Sequence, residues 1–167
     1  MTISAAAYLQ TFHNAANAAG AKAISSDFSI EIVGYESSWI LTKKAPWPVL
    51  SPGGEIEVPM PLGSLAYQGQ QVKVAKQGEI EMYETVAGSI DQLLVNLIVG
   101  GGKFDAKLYE GTPQAYLHYK EIFDCFIVID SDPSRDWENR SQVMTISGTM
   151  FYHYFGDITQ GNSTNYA

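Results

Sequence analysis

A glycine-rich run followed by lysine is the first stretch of the sequence that could bind a ligand. Gly100-Gly101-Gly102-Lys103 has the composition of a phosphate-binding loop, whose backbone N–H groups cradle phosphate oxygens. In that motif a glycine stands where this chain has Leu97, and a magnesium-binding Ser or Thr stands where it has Phe104. The run also follows a predicted helix, whereas a phosphate cradle precedes one. We therefore predict a helix C-terminal cap and no nucleotide site.

An acidic run further along the chain begins like a calcium-binding loop. Asp130-Ser131-Asp132-Pro133-Ser134 supplies oxygen ligands at alternate positions. Arg135 then occupies the sixth position, where the loop needs glycine, and Ser141 occupies the twelfth, where a bidentate Glu belongs. We predict a solvated turn and no specific metal site, with weak adventitious calcium binding as the alternative.

The cysteine and the histidines do not form a recognisable catalytic or zinc-binding set. Cys125 lies in a predicted apolar strand, which indicates a buried and unreactive thiol. His118 and His153 are predicted to lie almost opposite each other across a hairpin that turns near Arg135, but no third zinc ligand is evident. We predict no catalytic residue, no cofactor and no metal.

Length, composition and charge favour a single acidic domain. The 167 residues are enough to bury one core, and residues 1–167 are interpreted as one domain. A net charge of −8 argues against tight nucleic-acid binding, but it suits a surface that DNA passes without sticking. One cysteine cannot form an internal disulfide. The N-terminus does not resemble a signal peptide, and we expect synthesis in the cytoplasm and no membrane contact.

Two long strands are predicted within residues 116–155, joined by a polar connection over 131–140 in which Pro133 ends the first ladder. On the second strand one face carries Met144, Ile146, Met150, Tyr152 and Tyr154, and the other carries Val143, Thr145, Thr149, Phe151 and Phe155. Both faces are partly apolar. They must therefore be covered on both sides, by the domain itself or by a neighbouring subunit.

Two helices are predicted before this pair of strands. Residues 3–20 are alanine-rich and weakly amphipathic, and residues 1–24 are interpreted as an N-terminal helical arm. The arm is expected to pack on its own domain, or alternatively to dock on a neighbouring subunit. The second helix is predicted to start with Ser89 as its N-cap and to bury Leu93, Leu94, Leu97 and Ile98.

Shorter strands are predicted over 28–33, with a partner over 39–42, and over 104–109. A hairpin is predicted from 70–75 to 79–83, turning at Lys76-Gln77-Gly78.

Residues 44–63 form a proline- and glycine-rich stretch that we interpret as an extended loop. Trp47, Val49 and Leu50 would be costly to leave in water, so the loop is predicted to lie against the next subunit, and a disordered linker is the alternative. The tail, residues 157–167, has little to bury and is expected to be loosely held.

The order of these elements resembles that of a known family. A mid-chain helix, SIDQLLVNLIVGG, precedes two long strands that end in the aromatic run MFYHYFGD. Over residues 28–156 this order is similar to the tail tube proteins of contractile-tailed bacteriophages and to the related haemolysin-coregulated tube proteins of type VI secretion. The resemblance implies a mainly β (α+β) fold, an antiparallel β-barrel or sandwich with one packed mid-chain helix and an N-terminal helix.

The resemblance also implies a function. Subunits of this family form hexameric rings that stack into the inner tube of a virion tail, inside a sheath and above a baseplate, and DNA passes through without sequence-specific binding. It implies that the loop at 44–63 bridges stacked rings.

We therefore predict a structural, non-enzymatic protein whose partners are itself, sheath and baseplate proteins. Candidate interface residues are Trp47, Val49, Leu50, Met150, Tyr152 and Tyr154. Alternatives are a type VI ring or tube protein, a baseplate or tail-completion protein, and a discrete binding module. An enzyme would need a cleft that joins His118 or His153 to acidic partners.

Overall fold

The computed structural model describes residues 6–163. This part of the chain contains two α-helices, α1 (Ala6–Ala18) and α2 (Ser89–Val99), and two short 3-10 helices, Glu36–Leu41 and Pro61–Gly63. Its strands are β1 (Phe28–Ile32), β2 (Thr42–Lys44), β3 (Glu55–Pro59), β4 (Leu65–Gly69), β5 (Ala75–Tyr83), β6 (Phe104–Gly111), β7 (Tyr116–Ile129), β8 (Thr145–His153) and β9 (Ile158–Gln160).

One antiparallel sheet organises the fold, with the strand order β1-β6-β7-β8-β5-β2 and β9 added to β7. The N-terminal half of β7 pairs with β6 and its C-terminal half pairs with β8. Between the two halves Asp124 has φ 50°, and its N–H donates to Asp105 Oδ1 at 3.1 Å. This bulge bends the strand and turns the two halves of the sheet toward each other.

The core lies between those two halves. Ile30 and Ile32 of β1 share a cluster with Ile80 and Met82 of β5, although β1 and β5 are not neighbours in the sheet. The mainly antiparallel fold with an N-terminal and a mid-chain helix is confirmed. Over the described residues the sheet is open and is not closed into a barrel, so the sandwich form of the prediction applies.

The alternation predicted for the last strand is confirmed, but the register of the long pair is not. Ile146, Gly148, Met150 and Tyr152 are buried, and the residues that alternate with them are only partly buried. The connection is longer than predicted, because β7 ends at Ile129 and β8 begins at Thr145. His153 therefore lies opposite Phe123, and His118 lies opposite Gln160, so the predicted pairing of the two histidines is wrong.

Three local predictions before α2 are also corrected. The segment Glu36–Leu41 is a 3-10 helix, and β2, which follows it, pairs with β5 and not with β1. Lys76-Gln77-Gly78 is not a turn, because β5 runs through it and pairs with β8 along its whole length. Part of the presumed loop at 44–63 is β3, which pairs with β4 in a separate two-stranded sheet. Local pattern could not reveal the partners of β2 and β5, because those partners are distant in sequence.

The helix α2 is capped by a side chain that the sequence did not suggest. Gly88 occupies the N-cap position and Ser89 is the first helical residue. The Glu84 carboxylate accepts hydrogen bonds from the backbone N–H groups of Thr85, Ile90 and Asp91 at 2.7, 3.0 and 2.8 Å. On the predicted apolar stripe Leu93 is buried and Leu94 and Leu97 pack on the core, but Ile98 is exposed. Gly100, Gly101 and Gly102 end the helix as predicted, and their N–H groups donate to Asn96, Ile98 and Leu97 carbonyls.

The two ends of the described chain behave differently. Within the arm predicted over 1–24, α1 has no buried residue, and residues 1–5 lie outside the described part. The tail predicted to be loose contains β9, and Asn162 binds the backbone of Gln114 and Tyr116 at 2.8 and 3.2 Å. Residues 158–163 are therefore fixed to β7. Residues 164–167 lie outside the described part.

Candidate subunit interface

The first part of the loop at 44–63 is attached to its own chain. Pro48 is fully buried, and its carbonyl accepts a hydrogen bond of 2.6 Å from Lys120 Nζ on β7. Pro46 lies against Gly78, at a distance that leaves no room for a Cβ. Leu50 packs on Gly156 in the same way. These contacts attach residues 46–50 to β5, to β7 and to the residues that follow β8.

Trp47 belongs to this attached segment and is only partly available to another subunit. Its side chain is 37% exposed, and its ring contacts the His118 ring edge-on at 5.9 Å. Lys120 Nζ lies 4.8 Å from the centre of the Trp47 ring and 5.6 Å from that of Tyr154, which are cation–π distances. Burial lowers the pKa of Lys120, and the nearby Glu110 carboxylate partly opposes this shift. Trp47 thus shields a buried cation, while Val49 is left exposed.

Met150, Tyr152 and Tyr154 lie in the core of the chain itself. Each is at most 4% exposed, and all three belong to the cluster between the two halves of the sheet. Burial raises the pKa of the Tyr152 and Tyr154 hydroxyls. In the single chain these three residues are therefore covered by their own domain, and the predicted interface residues with exposed side chains are Trp47, Val49 and Leu50. The alternation along β8 predicted two apolar faces and did not show which one the chain would cover by itself.

A second exposed apolar surface is the hairpin of β3 and β4, whose strand β3 lies within the predicted loop at 44–63 and whose strand β4 lies beyond it. Within Glu55–Pro59 and Leu65–Gly69, Val58 alone is even partly buried. Ile56 and Val58 lie on one face and Leu65 and Tyr67 on the other. At the tip Leu62 is fully exposed in a left-handed conformation with φ 59°, which is rare for a residue with a side chain. The hairpin is therefore apolar on both faces, and its tip contains a residue, Leu62, with a strained backbone conformation.

A cleft of about 570 Å³ lies between the segment before β1, the strand β2 and Trp47. Glu110 lines it, and the Glu110 carboxylate lies 3.1 Å from His118 Nε2. The enzyme alternative required a cleft that joins His118 or His153 to an acidic partner, and the pair of His118 and Glu110 at this cleft is of that kind. The pair also holds Trp47, through the ring contact with His118, which gives it a structural role in fixing the loop.

Cys125 and Asp130, which the sequence analysis considered for catalysis and for calcium binding, take part in the packing and hydrogen bonding of the fold. Cys125 is fully buried, and burial raises its pKa to about 12, as expected for an unreactive thiol. Asp130 accepts a hydrogen bond from the Thr149 hydroxyl at 3.3 Å. Among residues 6–163 no group of three or more His, Cys, Asp and Glu side chains is placed to hold a metal ion. No helix in the same range is both long and apolar enough to cross a membrane.

The fold is similar to those of several solved structures. A chain of the sheath–tube complex of an extracellular contractile injection system (PVC, extended state) matches with a TM-score of 0.59 and 12% identity, over 87% of this chain and 97% of that chain. A chain of the anti-feeding prophage cap, described as the tube-terminating cap, matches with a TM-score of 0.55 and 13% identity, over 84% and 92%. A chain of the PVC sheath/tube terminator matches with a TM-score of 0.54 and 12% identity, over 83% and 97%.

The comparisons of sequence found no match. No protein-family model matches the chain, and no curated protein sequence matches it. The likeness therefore concerns the backbone, and it spans nearly the whole length of each structure compared. It agrees with the family resemblance drawn from the order of elements. This protein has the fold of the tube, cap and baseplate chains of contractile injection systems.

Proposed function

We propose that this chain is the subunit of an inner tube in a contractile tail or a related injection system. In this proposal copies of the chain form hexameric rings, and the rings stack into a tube that a sheath surrounds and a baseplate terminates. The protein is structural and not enzymatic. It is made in the cytoplasm of the host bacterium and functions in the tail of the particle.

The observation that carries the proposal is the exposed hairpin of β3 and β4. A two-stranded hairpin is marginally stable in water without a third strand or a packing surface. This hairpin packs little on its own chain and exposes Ile56, Leu65 and Tyr67. It is therefore suited to lie on a second copy, and its strand β3 and its tip fall within residues 44–63, the stretch that the family resemblance assigns to contacts between rings.

The acidic balance supports the transport of DNA through such a tube. The net charge of −8 disfavours binding to phosphates, so a passing duplex would not be retained. The likeness to a chain from a sheath–tube complex over 87% of this sequence supports the same function.

The first test is negative-stain electron microscopy of the purified protein over a concentration series. Tubes of uniform width with an axial channel and six-fold rings are expected. Compact monomers at every concentration would overturn the proposal.

A second variant tests the hairpin. Gly54 and Gln70 are joined by a backbone hydrogen bond of 2.9 Å, so residues 55–69 can be replaced by a short Asn-Gly turn without displacing the rest of the chain. We expect the variant to fold and to form rings that do not stack. The matched control is Val86→Ser, which removes an exposed apolar side chain outside the hairpin. Normal tubes from the shortened variant would remove the hairpin from the interface.

A cap or baseplate component is the second candidate, because chains of a tube-terminating cap and of a baseplate share the fold. Such a protein would form single rings of fixed size and would not elongate as its concentration rises. A type VI ring or tube protein is distinguished by its partners, since it would be found with secreted proteins and not with packaged DNA.

A further inference from the structure

The outer face of β7 and β8 carries an uncovered group of apolar side chains, which we call the aromatic patch. It consists of Phe123, Phe126, Val128, Phe151 and Phe155. Phe126 and Phe151 are stacked with ring centres 5.0 Å apart, and Phe123 lies 6.1 Å from Phe155. Phe126, Val128 and Phe155 remain 39%, 48% and 57% exposed. An aromatic surface of this kind is typical of a contact with another protein chain.

The helix α1 presents a second uncovered apolar surface. Tyr8, Leu9 and Phe12 are 47%, 56% and 56% exposed, and the Tyr8 and Phe12 rings pack edge-on at 4.8 Å. None of the 13 residues of α1 is buried against the rest of the chain. A helix of this length is marginal in water unless a surface covers its apolar side. Residues 6–163 of its own chain do not provide that surface.

We propose that α1 of one copy docks on the aromatic patch of a second copy, an inference that rests on the self-assembly proposed above. The charges favour a second copy as the occupant. Each copy carries −8, so two copies repel, yet α1 contains no charged residue and neither does the patch. Asp124, which lies next to the patch, is paired with Lys103 at 3.6 Å. This contact therefore joins two acidic chains where repulsion is least.

The length of α1 also agrees with the length of the aromatic patch. Thirteen helical residues span about 20 Å at ~1.5 Å per residue, and the stretch of β7 from Phe123 to Val128 spans about the same length at ~3.3 Å per residue. Because the helix and the patch are different surfaces of one chain, the contact can be made head-to-tail. A head-to-tail contact can repeat from copy to copy and close a ring.

Cysteine cross-linking tests the contact directly. One copy carries Phe12→Cys and a size tag, and an untagged copy carries Val128→Cys. The native Cys125 is fully buried, so it will not compete for the oxidant. After mild oxidation of the mixture we expect a disulfide-linked product of one tagged and one untagged chain. The matched control replaces Val128→Cys with Ile98→Cys on the exposed apolar side of α2.

A cross-link to Ile98→Cys as strong as that to Val128→Cys would overturn the assignment of the patch. In a single chain with both Phe12→Cys and Val128→Cys, a purely intramolecular disulfide would show that α1 folds back on its own patch, which also overturns it.

The critical concentration for assembly of two further variants distinguishes a failure of this inference from a failure of the proposed function. Phe12→Ser should raise the critical concentration for assembly about tenfold or more, because it removes one large apolar contact. Gln10→Ser, on the same helix, should leave that concentration unchanged. If Phe12→Ser assembles like the unmodified protein, the docking of α1 is wrong and the tube proposal stands. If the unmodified protein stays monomeric at every concentration, both are wrong.

Discussion

The Glu84 cap of α2 predicts a specific dependence of stability on pH. Partial burial of the Glu84 carboxyl raises its pKa, but hydrogen bonds from the N–H groups of Ile90, Thr85 and Asp91 outweigh burial, and the pKa lies below its ordinary value of 4.5. A carboxyl whose pKa is lowered by folding contributes stability above its unfolded pKa. That contribution is lost as the pH falls through the folded pKa.

The magnitude follows from the bonds that the substitution Glu84→Gln removes. Glutamine keeps one oxygen acceptor but loses the charge and the second acceptor, which binds the Asp91 N–H at 2.8 Å. Hydrogen bonds to charged groups contribute about 1.5–3 kcal/mol, and helix caps about 1 kcal/mol. We therefore expect Glu84→Gln to lower the free energy of unfolding at pH 7 by about 1–2 kcal/mol, which lowers Tm by roughly 3–6 °C for a chain of this size.

The assay is urea unfolding followed by tryptophan fluorescence at a series of pH values from 7 down to 3. The difference between the unmodified protein and Glu84→Gln should be constant above pH 5 and should shrink below pH 4, because the unmodified carboxyl then becomes protonated. Glu138→Gln is the matched control, since its side chain is exposed and does not accept hydrogen bonds from the N-terminal N–H groups of α2. A difference of the same size at pH 3 and pH 7 would refute the charged cap.

Three further perturbations test other contacts. Trp47→Ala should cost about 2 kcal/mol in urea unfolding because it uncovers Lys120, and it should also weaken assembly measured by light scattering; unchanged stability would show that the ring does not shield the cation. Cys125→Ser should cost about 1–3 kcal/mol, because it places a hydroxyl at a fully buried position, and native Cys125 should resist thiol reagents at pH 8; rapid labelling would contradict its burial. Gly78→Ala should cost about 1–3 kcal/mol by pressing on the Pro46 ring, whereas Gln77→Ala on the same strand should be nearly neutral; equal effects would place the loop elsewhere.

The interface residues show where sequence reasoning reached its limit. The alternation of apolar residues identified β8 and showed that both of its faces are partly apolar. The composition of residues 44–63 placed Trp47, Val49 and Leu50 in a proline-rich segment. The alternation could not show that Met150, Tyr152 and Tyr154 face the core. Either face could have been covered by the domain, because a period of two residues does not distinguish inside from outside.

The hairpin of β3 and β4 was missed for a different reason. Pro46, Pro48 and Pro52 led to the prediction of a loop over 44–63, yet β3 begins after them and ends at Pro59, where no ladder hydrogen bond is needed. The signal that could have found it is the alternation of Ile56 and Val58 with Glu55 and Glu57. Because those apolar residues are exposed in the single chain, the alternation does not mark a core.

The sequence by itself determined the local elements: the end of α2 at three glycines, the strand character of β6, β7 and β8, and the burial of Cys125. Each follows from spacing within a few residues. The tertiary structure decided the pairing of β1 with β6 and of β2 with β5, the register that separates His118 from His153, and the attachment of Pro48 to Lys120. These depend on contacts between residues far apart in the chain and on the bulge at Asp124, whose bend sets which surfaces one copy covers and which it leaves for another.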